Sequence, residues 1–225
     1  MMKWLTSTLA STLALLVLWT GIAVAQNEEQ DVVDRARISA TSMLSDPDYR
    51  EAQAQMRRAK GVIVIPSLLK GGFIVGGEGG SGVLLVRGRD GSWSNPSFVT
   101  MGAGSVGLQI GVQTAEVLML IMTDKGLQSV MQDEFKLGAD ASVAVGPIGA
   151  GVEAGTTANL RADILSFSRT QGLFGGVSFE GSLIKPRLSW NERYYGRPAS
   201  VREIVIERRM SAPGAEALRR AVVVN

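Results

Sequence analysis

The sequence predicts an α+β protein: N-terminal amphipathic helices on a mainly antiparallel, glycine-rich β-sheet that could be barrel-like, with short helices mid-chain and at the C-terminus. Three observations support this fold class. Apolar residues recur at three- and four-residue spacing over residues 28–60. From Gly61 onward the apolar period changes to two. Glycine supplies 27 of 225 residues, where average usage of roughly 7% would give about 16.

The first 25 residues have the pattern of a secretory signal peptide. Lys3 gives a positive start, an apolar run covers Leu5 to Val24, and Ala23-Val24-Ala25 precedes polar residues. The alternative is an uncleaved membrane anchor, but the strongly apolar stretch is short for a bilayer span. The sequence therefore predicts export, to a periplasmic or secreted location and with membrane association left open. Residues 26–225 are then predicted to form one domain.

Two helices are predicted next. The first carries Val33, Ala36 and Ala40 on one face, and Ser45-Asp46-Pro47-Asp48 interrupts it, because a capping residue followed by proline restarts a helix. The second has an apolar stripe of Tyr49, Ala52, Met56 and Ala59. Such amphipathic helices either cover a sheet or place part of their surface against a membrane.

Short strands follow, separated by glycine-rich turns. They are predicted at 62–65, 73–75, 83–86, 93–101, 106–112, 117–122, 143–145, 160–164 and 177–183. Asp90-Gly91 is a strong hairpin signal. Glycine on one face of the 106–112 strand indicates that a neighbour packs close to its backbone.

Three short helices complete the prediction. Asp124 is expected to cap a helix that bears Leu127 and Val130. Ser200 and Glu203 form a capping box before an apolar run, and a last helix is expected over 216–221.

The composition excludes most familiar catalysis. The chain has no cysteine and no histidine, which removes thiol nucleophiles, disulfides, the usual zinc ligands and the Ser-His-Asp triad. Three glycine patterns fit the dinucleotide fingerprint or its relaxed form, but the first two lead into strands rather than helices, so they predict no nucleotide site. Asp133, Glu134 and Asp140 lack EF-hand spacing and are interpreted as solvated charge. We therefore predict no enzyme, no cofactor and no metal.

The charge distribution suggests a surface but no nucleic acid. The net charge is only +2, which argues against nucleic-acid binding. Lys and Arg outnumber acids between Lys185 and Arg220. That excess of positive charge either faces an anionic surface or is simply solvated, and solvation is the favoured interpretation.

Many short motifs in order resemble the SYLF domain family over about residues 30–206. They are Ala59-Lys60-Gly61-Val62, Gly71-Gly72-Phe73, Gly80-Ser81-Gly82-Val83, Trp93-Ser94-Asn95-Pro96, Gly138-Ala139-Asp140-Ala141-Ser142, Gly172-Leu173-Phe174-Gly175-Gly176-Val177-Ser178 and Tyr194-Tyr195-Gly196. The family is a lipid-binding module, also described as actin-binding in fungal members. Because the domain follows a signal peptide, the chain is most similar to exported bacterial members.

The resemblance implies a non-catalytic protein that associates peripherally with membrane lipid. The eukaryotic members bind phosphoinositides through an amphipathic N-terminal helix and basic residues; here those roles fall on the helix from Tyr49 to Ala59 and on Arg57, Arg58, Lys60 and Lys70. Each cation near an anionic surface contributes about 1 kcal/mol. The implied partner is anionic phospholipid or another envelope lipid, such as the lipid part of lipopolysaccharide. The alternative is an envelope structural or protein-interaction module without a lipid ligand, whose protein partner the sequence does not identify.

Overall fold

The computed structural model describes residues 28–72, 75–106, 111–146, 161–171 and 179–224. The predicted signal peptide lies outside these residues. The helices are α1 (28–45), α2 (Arg50–Met56), α3 (Asp124–Val130), α4 (Leu188–Tyr195), α5 (Val201–Val205) and α6 (Glu216–Ala221). The strands are β1 (Gly61–Gly72), β2 (Val75–Val86), β3 (Ser97–Val106), β4 (Gly111–Ile121), β5 (Phe135–Lys136), β6 (Val143–Val145), β7 (Ile164–Gln171) and β8 (Leu183–Pro186). Single 3-10 turns, Pro47–Tyr49 and Pro213–Ala215, precede α2 and α6.

The strands form one sheet in the order β5-β8-β3-β2-β1-β4-β7-β6, which curls into a half-barrel. Its pairs are antiparallel except β6 with β7. The sheet and its flanking helices confirm the predicted α+β class.

Hydrophobic side chains fill both faces of this sheet. Strand residues alternate between faces, so Val62 and Val64 enter one core while Ile63 and Ile65 enter the other. The first core is completed by residues of α1, α2, α4 and α6, namely Val33, Met56, Trp190 and Leu218 among others. The second receives residues of α3 and α5, including Val130 and Ile204. Helices therefore cover both faces, and α1 and α2 lie on the same side.

The break between the two N-terminal helices is confirmed. The Asp46 carboxylate accepts a hydrogen bond of 2.9 Å from the Asp48 backbone N–H, and Pro47 opens the 3-10 turn. Arg169 of β7 fixes this corner by donating to Ser42 Oγ and Asp46 Oδ2, each at 2.6 Å.

Glycine in β2 lets β1 bulge over it. The β1–β2 register shifts between Val64 and Ser67. A Cβ on Gly82 would lie 2.3 Å from the Val64 carbonyl oxygen, and one on Gly80 would lie 2.6 Å from that of Ser67. The backbone of β1 occupies the space that side chains would need. The Gly107 face of the predicted 106–112 strand lies outside the described residues.

Three predicted strands are wrong. The strand predicted at 160–164 is replaced by β7, which begins only at Ile164 and continues to Gln171. Val106 ends β3 beside β2, whereas Gly111 starts β4 beside β1, so the predicted 106–112 strand contains the ends of two strands. In the predicted 177–183 strand the chain turns at Glu180 and Gly181, where Gly181 has φ = 85°. That left-handed conformation interrupts a strand, and β8 begins only at Leu183.

The helical predictions hold except for one cap and one missed helix. The Thr123 hydroxyl caps α3 by accepting from the Gly126 N–H at 3.0 Å, and Asp124 is the first helical residue rather than the cap. Both halves of the Ser200–Glu203 capping box are formed. The sequence reading missed α4, which buries Trp190 against the sheet.

Candidate functional site

The apolar stripe of α2 is buried rather than available to a membrane. Tyr49, Ala52, Met56 and Ala59 are each at most 4% exposed and belong to the core between the helices and the sheet. Of the two interpretations of this stripe, covering the sheet is the one that the structure supports. The expected insertion of the stripe into a membrane interface does not occur in this fold, because exposing it would remove part of that core.

The cations at the end of α2 remain at the surface. The helix finishes at Met56, and the backbone N–H groups of Arg58 and Ala59 both donate to the Gln55 carbonyl. Arg57 and Arg58 are exposed in the turn that follows. This turn therefore separates two surface cations from the buried face of their own helix.

Lys60 is tied to an acid of the same protein. Its Nζ lies 2.7 Å from Oδ1 of Asp124, in the first turn of α3. The two side chains are 40% and 77% exposed. Exposed pairs of this kind are weak, typically about 0.2–1 kcal/mol.

Arg87, just after β2, holds the end of α2 in place. Its guanidinium donates to the carbonyls of Met56 at 2.7 Å and Arg57 at 3.0 Å, and it lies 4.7 Å from the centre of the Trp93 ring. Its backbone N–H donates to the Lys60 carbonyl at 2.7 Å. Burial lowers the pKa of the Arg87 guanidinium, which nevertheless stays protonated. A cation at the carbonyl end of a helix is favourable because the helix dipole is negative there.

A tight turn beyond Arg87 carries another exposed cation, Arg89. Gly88 and Ser92 close the turn through a backbone hydrogen bond of 2.8 Å, and the Asp90 carboxylate accepts from Ser92. Arg208, near the C-terminus, donates to the Ser92 carbonyl at 2.8 Å and lies 3.6 Å from Asp90. The end of α2, the turn that follows Arg87 and the segment around Arg208 therefore lie next to one another.

We call this surface the basic end of the protein. It lies where β1 and β3 begin and β2 and β4 end, and its cations are Arg57, Arg58, Lys60, Arg87, Arg89 and Arg208. Two of these cations pair with acids at the same end, Lys60 with Asp124 and Arg208 with Asp90. The surface carries excess positive charge that is not concentrated on one helix.

The fourth residue predicted for the site, Lys70, does not contact this group through its backbone. It lies ten residues along β1, where the register places it opposite Glu78 of β2. Its side chain lies outside the described part of the structure. The structure thus brings Arg57, Arg58 and Lys60 together and places the Lys70 backbone away from them.

Most arginines of the basic C-terminal segment lie close to carboxylates, although Glu207 and Glu216 each pair with two of them. Arginines pair with nearby carboxylates as Arg193–Glu29, Arg197–Glu203, Arg202–Glu207, Arg209–Glu207, Arg219–Glu216 and Arg220–Glu216. The excess of charge in this segment is therefore a weaker candidate for an anionic surface than the basic end.

The acidic candidates form no metal site in the described residues. Glu134 pairs with Lys185, and Asp140 Oδ2 accepts from the Lys136 backbone N–H at 2.6 Å. No group of three potential ligands that could hold a metal ion occurs among the residues described. In the same part of the chain, no helix has the length and apolar character needed to cross a bilayer.

The predicted site did not include the cations Arg87, Arg89 and Arg208 of the basic end, or the acids Asp90 and Asp124 that pair there. A usable signal was present, since Arg87-Gly88-Arg89-Asp90-Gly91 places two cations at a predicted hairpin. The contact of Lys60 with Asp124 spans 64 residues, so no local pattern could reveal it.

Comparison with known proteins identifies the family. Residues 102–223, more than half of the chain, match Ysc84, described as "Las17-binding protein actin regulator". The chain belongs to the Ysc84 (SYLF) domain family. The matched region of this SYLF chain includes Asp124 and Arg208 but begins after Arg57, Arg58, Lys60 and Arg89.

Relatives of this SYLF chain carry the domain within longer proteins. LAS seventeen-binding protein 3 of Saccharomyces cerevisiae is 34% identical over 170 residues, covering 74% of this chain and 37% of the relative. SH3 domain-containing YSC84-like protein 1 of Homo sapiens is 32% identical over 139 residues, covering 61% of this chain and 40% of the relative. The chain thus matches well under half the length of each. Their names describe binding or SH3 domain-containing proteins rather than enzymes.

Proposed function

We propose that this protein is a non-catalytic, exported lipid-binding protein that docks peripherally on an anionic membrane through its basic end. The observation that carries the proposal is the convergence of Arg57, Arg58 and Arg89 on one surface, with Arg87 fixing the backbone between them. Export to a periplasmic or secreted location rests on the signal-peptide pattern of residues 1–25.

The proposed binding is electrostatic, with the protein lying on the headgroups rather than inserting into the bilayer. The α2 stripe is occupied by the core, so it offers no apolar surface to the acyl chains. Guanidinium groups instead suit phosphate oxygens, to which they can donate two parallel hydrogen bonds. The ligand is therefore an anionic phospholipid headgroup or the phosphorylated part of another envelope lipid.

The test compares two charge reversals on the same helical segment. Arg58→Glu removes one favourable contact and adds a repulsive one, so affinity for phosphatidylglycerol vesicles should fall about thirtyfold, given about 1 kcal/mol per charge. Arg50→Glu makes the same charge change in the first turn of α2, at the other end of a helix about 10 Å long. At about 0.1 M salt, where the Debye length is about 10 Å, it should lose clearly less affinity than Arg58→Glu. Flotation measures both.

The outcomes separate site-directed binding from a general charge effect. Equal loss in the two variants would show that net charge rather than the basic end controls binding. Retained binding by Arg58→Glu would remove that residue from the site. Circular dichroism should show that both variants keep the fold, because both arginines are exposed.

A protein partner is the second candidate, and the relatives favour it. LAS seventeen-binding protein 3 is named for binding a protein, so the domain here could act as an envelope protein-interaction module. A pull-down from lipid-depleted envelope extract that captures one partner, with no vesicle binding by the wild type, would support this candidate and reject lipid docking.

A further inference from the structure

The ion pair between Lys60 and Asp124 lies within the proposed docking surface. The carboxylate Oδ1 is 2.7 Å from the ammonium Nζ, and the Asp124 side chain is 77% exposed at this end of the sheet. An anionic headgroup that approaches Lys60 must therefore compete with an acid already bound to it.

The neighbouring charges leave Asp124 as the partner of Lys60. Lys125, the next residue, is drawn to a different acid, since its Nζ lies 3.5 Å from Asp163 Oδ2. Asp163 in turn accepts from the Thr123 hydroxyl at 2.6 Å, and the same hydroxyl caps α3. These contacts fix the start of α3 and with it the position of the Asp124 carboxylate beside Lys60.

Asp124 is not needed to hold the local fold. The α3 cap comes from Thr123, whose oxygen accepts the Gly126 N–H. The position of Lys60 is set by its backbone, which donates to Ile121 at 2.8 Å and accepts from Arg87 at 2.7 Å. The contact of Asp124 with Lys60 can therefore be removed by an isosteric amide without dismantling the basic end.

We propose that Asp124 is a specificity-determining residue that occupies Lys60 and restricts docking to strongly anionic surfaces. This inference rests on the proposed function of the basic end. A surface with few anionic headgroups does not displace the carboxylate, whereas a densely charged one does. Removing the carboxylate should lower the anionic lipid content that binding requires.

The experiment measures flotation on vesicles with a rising fraction of phosphatidylglycerol in phosphatidylcholine. Asp124→Asn should bind about fivefold more tightly than wild type at intermediate fractions, the effect of about one additional available cation. Because a partly unfolded chain exposes apolar side chains that can also bind vesicles, circular dichroism and urea denaturation should first show that the variant keeps the wild-type fold and stability. The matched control is Asp31→Asn, which breaks another exposed pair, Asp31–Arg35 on α1, also 2.7 Å long. It should leave the affinity close to wild type.

The Lys60→Met background tests whether Asp124 acts through Lys60. In that background, Asp124→Asn still removes the repulsion between its own carboxylate and the headgroups, so a gain should remain, but it should be smaller than in the presence of Lys60 by the contact that the freed ammonium makes. An equal gain with and without Lys60, or an equal gain from Asp31→Asn, would overturn the inference. Wild-type binding with no change in Asp124→Asn would also reject it while leaving the proposed function intact. Absence of wild-type binding would reject both.

Discussion

The arginines of the basic end divide into two kinds by their contacts. Arg87 donates to two helix carbonyls and lies against Trp93, so its guanidinium is engaged within the protein. Arg58 and Arg89, by contrast, are exposed. We therefore expect Arg87 to position the surface and the exposed arginines to contact headgroups.

Glycines of β2 provide a residue-scale test of the fold. Gly82→Ala would place a Cβ 2.3 Å from the Val64 carbonyl oxygen and 2.8 Å from an Ile65 side-chain carbon. Because a backbone atom must move, the free energy of unfolding should fall by about 1–3 kcal/mol or more. Gly77→Ala is the matched control, since its nearest neighbour would be 3.7 Å away. Urea denaturation measures both, and equal stabilities would contradict this account of the β1 bulge.

At the scale of elements, buried polar contacts join segments that are distant in sequence. The Asp163 carboxylate lies just before β7. It accepts a hydrogen bond of 2.6 Å from the Thr123 hydroxyl, which precedes α3. It also accepts from the backbone N–H and the hydroxyl of Ser142, which precedes β6, at 3.0 and 2.9 Å. Burial alone would raise the pKa of Asp163, but these hydrogen bonds and the Lys125 charge outweigh it and hold the pKa below its usual value.

This carboxylate should make the fold sensitive to acid. Since its folded pKa lies below the unfolded value of about 3.9, the ionised form stabilises the protein above that pH. The contribution is lost as the pH falls through the folded pKa. Asp163→Asn should lower the free energy of unfolding at pH 7 by about 1.5–3 kcal/mol and flatten its decline below about pH 4. Thermal melts across pH measure this. An unchanged acid profile in the variant would show that other carboxylates control it.

The elements that sequence reasoning found are those with local signals. The Ser200–Glu203 capping box and the Asp46-Pro47 restart each depend on residues within one turn, and both are formed. Helix α4 was missed because its burial depends on distant partners: the Trp190 ring packs edge-on against Phe98, with centroids 5.7 Å apart. In the same helix Tyr194 and Tyr195 are partly buried, and Tyr195 donates to the Pro96 carbonyl at 2.6 Å.

At the scale of the molecule, sequence patterns predicted more of the core than of the basic end. The alternation of apolar residues predicted which strand residues enter the core, but it left open whether the α2 stripe would cover the sheet, as it does, or meet a membrane. Of the site, the sequence predicted the cations at 57, 58 and 60. It predicted the turn at Asp90-Gly91 but not that this turn would lie beside the end of α2, and it did not predict the acid beside Lys60, because chain topology brings these segments together.

The distribution of charge, rather than its total, should control binding. The net charge is +2, so nonspecific attraction is weak, while arginines of the C-terminal segment are paired with neighbouring acids. Electrostatic docking at the basic end should therefore be strong at low salt and should weaken as added salt shortens the Debye length from about 30 Å at 0.01 M to about 3 Å at 1 M.

The most direct measurement is the partition of the wild-type protein, prepared as residues 26–225, between buffer and vesicles of either phosphatidylglycerol or phosphatidylcholine, at low and at high salt. We expect binding to phosphatidylglycerol at low salt, its loss at high salt, and no binding to phosphatidylcholine under either condition. Equal binding to both lipids, or binding that salt does not reduce, would contradict docking through the basic end.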